Sequence, residues 1–287
     1  MEAVEVFSWN ALIVMCKVLT YSGMATLVGY ACFQKWVKNM KYARRVVLLT
    51  LLVTPIGFFA QVGAMAEMGI AGAVDADYVS MMWASASGDV TLLRSVSWLF
   101  ALLALYLTQS QRTLLLLRQP IVIACILVLL YSFTLTGHSA SLGWSEKVLL
   151  GLHALVMAWW MGALFPLKAA CNTQSVQQLQ LTMQRFGRQA SVMLCLLFGA
   201  GGMLAYRLIG NIEALLFSPY GQVLLCKLLL VGGMLSLAAR HKLSLVPALS
   251  HTDSRAVLSR SIGLEIGLAG LVFLVTGVLS SVVGPKV

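Results

Sequence analysis

Long apolar runs, broken by short polar or charged segments, pattern the whole chain. Eight of them approach the ~20 residues a helix needs to cross the hydrocarbon core, over 11–33, 46–66, 90–108, 119–136, 147–167, 189–209, 221–239 and 261–283. The expected fold is all-α, a polytopic membrane helix bundle of eight transmembrane helices forming one membrane domain over 1–287. Most connections are short. The 67–89 segment instead holds small and acidic residues with a Met81-Met82 pair, and the Gln-rich 168–188 segment (Gln174, Gln177, Gln178, Gln180, Gln184) reads as a surface helix.

Composition supports this reading. The chain is 60% hydrophobic and only 10% charged, with a mean hydropathy of +0.88, whereas soluble domains are about a quarter charged. Glu2 and Glu5 stand where an export signal would carry basic residues, so the first run is expected to stay in place. The net charge of +10 is not a nucleic-acid signature, because of where it falls. Lys35, Lys38, Lys41, Arg44 and Arg45 follow the first run, and the next connection holds Glu67, Asp75, Asp77 and Asp89. Basic and acidic connections then alternate to the C-terminus, with Arg240, Lys242, Arg255 and Arg260 in the last basic one. Basic connections stay in the cytoplasm, which gives an N-out, C-out topology. The six cysteines are scattered without CxxC spacing and read as small buried hydrophobes.

Lys17, Lys227 and Glu265 fall inside spans, where an ionisable side chain costs at least ~2.5 kcal/mol and should face a partner. A structural ion pair and a role in ion passage are both open. A Lys227–Glu265 contact would need tilted helices. Arg94, one turn into the third span, has Asp89 or the external face within reach.

Candidate chemistry concentrates in 137–166, GHSASLGWSEKVLLGLHALVMAWWMGALFP. His153, Met157, Trp160 and Met161 fall at i, i+4, i+7 and i+8, on one helical face. Such a stripe is ordinary helix packing or a set of soft ligands for a thiophilic metal. His138, at the outer end of span four, lies on the same side as His153. Met15, Met65, Met68, Met81, Met82, Met157 and Met203 also map to the external side, while His241 and His251 fall in the cytoplasmic connection. Two imidazoles with thioethers suit Cu(I) better than zinc, and two histidines on neighbouring spans can also ligate haem iron. No Walker A loop, GxGxxG after a strand, GxSxG or HExxH is present, so no enzymatic activity is expected.

The pattern GH138xA, then LH153AxxxAxWxGAL with Pro166, resembles the CopD-type copper resistance membrane proteins, including the YebZ-like inner-membrane members. YGQVLLCKLLLVGGMLSLAARHKLSLVP, with Lys227 and Pro247, is similar to the family's seventh helix and its basic turn. RSIGLEIGLAGLVFLVTGVLSSVVGP, with Glu265, resembles its last helix, and SASGDVTLLRSV, with Arg94, the start of its third. The resemblance is strongest over 130–285. Thr20 stands where some members carry a histidine, and His241-Lys242 where the family has Asn-Arg.

The resemblance implies a bacterial inner-membrane protein of a copper-handling system that takes copper from the periplasm, usually with a CopC-like periplasmic partner. The match reaches His138 and His153, which would be the main ligands; the helical face read above adds Met157 and Met161 as a softer path inward. Two other readings stay open: a haem-b redox protein with His138 and His153 as axial ligands, and an assembly subunit in which both histidines only hydrogen-bond.

Overall fold

The computed structural model describes residues 2–33, 40–107, 112–137, 140, 143–209, 212–250 and 254–283. They form α1 (Glu2–Phe33), α2 (Met40–Ala66), the short α3 (Gly69–Ala73) and α4 (Ala76–Trp83), α5 (Ala86–Tyr106) and α6 (Arg112–Ser132). α7 (Trp144–Thr173), α8 (Val176–Ile209), the short α9 (Ile212–Phe217), α10 (Pro219–Arg240) and α11 (Ser254–Ser281) follow. No strand occurs among the described residues, as expected of a chain whose backbone must satisfy its own hydrogen bonds in lipid.

Seven helices among the described residues are long and apolar enough to cross a membrane. They carry every expected span except 119–136, which falls in α6, where the apolar described stretch Leu116–Ser132 is shorter. The Gln-rich segment does not form a separate surface helix. α7 runs on to Thr173, a bend follows, and α8 extends unbroken from the glutamines into the sixth apolar run. Nothing in 176–209 breaks a helix: it contains no proline, and its glutamines are good helix formers. The 67–89 connection folds into α3 and α4, with Asp75 capping α4 by accepting from the Asp77 and Tyr78 amides.

Hydroxyls within the apolar helices bond back to their own turns. Thr20 donates to the Cys16 carbonyl at 2.9 Å, Thr26 to Ser22 at 2.8 Å and Thr54 to Thr50 at 2.8 Å. These side chains therefore cost little in an apolar setting. Pro55, Pro120 and Pro166 lie inside helices, which packed spans tolerate where neighbours re-satisfy the freed carbonyls.

α1 is the hub and packs against α2, α6, α7 and α11. Its backbone runs close to that of α7. A Cβ at Gly162 would run into the Ala25 carbonyl, and one at Gly29 into the Gly162 carbonyl, so two glycines set this crossing. A cavity of about 430 Å³ opens beside it, walled by α1, α2, α7 and α11 and including Tyr30, Tyr42, Met161 and Phe273; no histidine among the described residues lines it. α10 packs mainly on α11 and lies at the edge of the bundle.

Candidate functional site

α7 begins after Gly143, whose carbonyl accepts from the Lys147 amide at 3.0 Å. Its middle is the most continuously buried stretch of the protein, from Val156 to Leu164. The stripe anticipated on this helix does not meet one neighbour. His153 turns to α8, where a Cβ on Gly201 would sit 3.1 Å from both Cε1 and Nδ1 of the ring. Leu197 offers its backbone to the same imidazole, and the Lys227 cation on α10 lies within electrostatic range. Nδ1 of His153 is buried and has no hydrogen-bond partner. Met157, one turn further, is buried in the core. Met161 is also buried, but it lines the cavity beside α1 and α11. At 100° per residue Met161 is 80° around the helix from His153, which is enough to give it a different neighbour.

Trp160 turns to α11. Its indole Nε1 donates to Oε1 of Glu265 at 2.9 Å. Glu265 is 2% exposed, and its other oxygen, Oε2, lies 3.5 Å from Nδ1 of His241. The second ring nitrogen, Nε2, is 2.7 Å from the Ser261 hydroxyl. Ser261 and Glu265 sit four residues apart on α11, so both face one imidazole. His241 reaches them because α10 ends in a wider π-turn over His241–Leu245, closed by the Val246 amide donating to the His241 carbonyl at 2.9 Å. Such widened turns are frequent at functional sites.

This network corrects the expectation for two residues. Glu265 meets Trp160 and His241 rather than Lys227. His241, expected in the cytoplasmic connection beside Arg240 and Lys242, puts its ring against a buried carboxyl group. The available signal was the Ser261/Glu265 spacing, which puts two polar side chains on one face at the start of the last apolar run.

At the opposite, acidic end, Lys17 donates to the Ser280 carbonyl at 2.7 Å and to its hydroxyl at 3.1 Å, and Tyr21 meets the same hydroxyl at 3.2 Å. Arg94 uses neither Asp89 nor the surface. Its Nε donates to Ser132 at 2.9 Å, and its guanidinium lies 4.8 Å from the centre of the Phe133 ring. These contacts tie α1, α5, α6 and α11 together at that end.

Met65, Met68 and Met81 are exposed at the same end, where α2 finishes and α4 lies, and Met82 is half-buried. His138 and His251 lie outside the described residues. Among the described residues no group of three or more His, Cys, Asp or Glu side chains comes together. The soft donors that stand ready are the imidazole of His153 and the thioethers along α7. The cysteines are free, with Cys16, Cys125 and Cys171 buried.

Two family models match the chain in order. Residues 6–147 match the N-terminal domain of copper resistance protein D-like proteins, and residues 180–279 match copper resistance protein D. His138 falls in the first match, and His241, Ser261 and Glu265 in the second; His153, Met157, Trp160 and Met161 lie between the two. No curated protein and no solved structure matches the chain. With its apolar helices long enough to span a membrane and both family matches in sequence order, the chain belongs to the copper resistance protein D family.

Proposed function

We propose that this protein binds copper at its acidic, external end and takes it into the bundle along α7, in copper homeostasis or resistance. The observation that carries the reading is the buried, unpartnered Nδ1 of His153 in a chain of a copper resistance family. A buried polar atom without a partner costs about 1–3 kcal/mol, and an imidazole nitrogen regains that by ligating a metal ion. Met157, one turn along the same helix, supplies a thioether that suits Cu(I). His138 is the second proposed imidazole and Met161 the next soft donor inward. Met65, Met68, Met81 and Met82 are proposed as weak capture groups, since each must release the ion as well as bind it.

In this proposal α6 crosses the membrane with the other seven, which gives eight spans and puts both termini outside. The positive-inside rule supports that arrangement, because basic residues gather where α1, α7 and α10 end and α2, α8 and α11 begin. The same reading places the protein in the bacterial inner membrane, with a CopC-like periplasmic protein as copper donor. It assigns no catalytic residue.

The test is metal analysis of the purified, copper-loaded protein together with its absorption spectrum. The proposal expects a colourless protein that retains Cu(I) and loses it in His138→Ala. A protein that retains no copper after loading contradicts it, as does a haem spectrum that disappears with either histidine.

A further inference from the structure

The buried polar network at the basic end has no part in the copper site, and its chemistry points elsewhere. Glu265 is fully enclosed, with Oε1 held by the Trp160 indole and Oε2 facing His241. Five cations of the same basic end make their contacts elsewhere or stand exposed. Arg240 adjoins His241 on α10, Lys242 donates to Ser191 of α8 at 2.8 Å, Arg255 donates to the Gln174 carbonyl at 2.9 Å, Lys168 of α7 packs against Gly263, and Arg260 is exposed on α11. None of them forms an ion pair with Glu265 among the described residues, so His241 is the titratable group that answers the carboxyl group.

Charge counting then limits what the pair holds. A carboxylate beside a neutral imidazole leaves one net negative charge in a low-dielectric interior, which is costly. One added proton makes the pair neutral overall, whether it resides on Glu265 Oε2 or on His241 Nδ1. The surroundings suit both placements. Ser261 can donate to Nε2 or accept from it, so the ring stays anchored in either protonation state. The Trp160 N–H, a donor only, fixes Oε1 and leaves Oε2 for the proton. The His241 side chain is 13% exposed while Glu265 is 2% exposed, so the imidazole is the group through which a proton would pass to and from the basic end.

We propose that Glu265 and His241 form a binding site for one exchangeable proton, carried on Oε2 of Glu265, entered through His241 from the basic end and held in register with α7 by Trp160. The proposal is independent of the copper reading, because proton binding is measured without metal.

The experiment is infrared difference spectroscopy of the full chain in lipid nanodiscs, stepped through pH without copper, in H₂O and D₂O. The result expected is a protonated-carboxyl C=O band that loses intensity as pH rises and shifts in D₂O. It should be lost in Glu265→Gln and displaced in frequency in Trp160→Phe. Glu265→Gln keeps an acceptor for the indole and is therefore expected to fold. If it does not, Trp160→Phe and His241→Gln carry the test, the latter by shifting the pH midpoint of the band. A carboxyl signal that does not change with pH, or one that persists in Glu265→Gln, overturns the proposal; so does a titrating band indifferent to both Trp160→Phe and His241→Gln.

Discussion

The indole of Trp160 donates a 2.9 Å hydrogen bond to Glu265, joining the centre of α7 to the one acidic residue of α11. Across 105 residues of sequence, this bond fixes the rotation of the helix that carries His153 and Met157. Trp160→Phe keeps most of the packing but removes the donor from a buried oxygen. The expected loss is about 1–3 kcal/mol, seen as a lower thermal unfolding midpoint in detergent or nanodiscs.

Glu265 itself separates two effects. Glu265→Gln retains an acceptor for the indole and removes the charge, whereas Glu265→Ala leaves the Trp160 indole and Nδ1 of His241 without a partner and opens a cavity. The alanine variant should be less stable than the glutamine variant by roughly 2 kcal/mol or more. Equal unfolding midpoints for the two would contradict the buried network.

The α1–α7 crossing is as specific. Any Cβ at Gly162 meets the Ala25 carbonyl, which is backbone and has no rotamer to yield. Gly162→Ala should push the helices apart at a cost of about 1–3 kcal/mol. Gly151 and Gly199, which have open space where a Cβ would stand, should accept alanine with little change in the same unfolding assay.

Lys17 holds the end of α11 through Ser280. Lys17→Ala should speed amide hydrogen exchange over the last turns of α11 and leave the half near Ser254 as it was. Uniform protection throughout α11 in that variant would show the contact to be dispensable.

Much of this was legible in the sequence. Hydropathy located the seven long helices because lipid demands continuous apolar helix, and the glutamines misled only because their run joins α8 without a breaker. The buried acid at Glu265 was visible as a group in need of a partner. Which partner it takes was not, since that depends on the π-turn at His241 and on the packing of α7 against α11, both set by tertiary contacts. The stripe from His153 to Met161 was legible as a helical face, but not its division between α8 and the α1 side, which depends on where the neighbouring helices stand.

Lys227 gives the copper reading a signed prediction. Its cation lies within electrostatic range of His153 and opposes a second positive charge there. Lys227→Met should therefore tighten copper retention, measured as a slower loss of Cu(I) to a chelator. Weaker retention would mean that Lys227 supports the site.

The proposed role of His153 as a copper ligand is open to a Cu(I) competition titration of the purified parent and of His153→Ala. The parent is expected to bind Cu(I) stoichiometrically, and His153→Ala to lose that binding while its circular dichroism and unfolding midpoint show an intact fold. A correctly folded His153→Ala that binds Cu(I) as the parent does would contradict it.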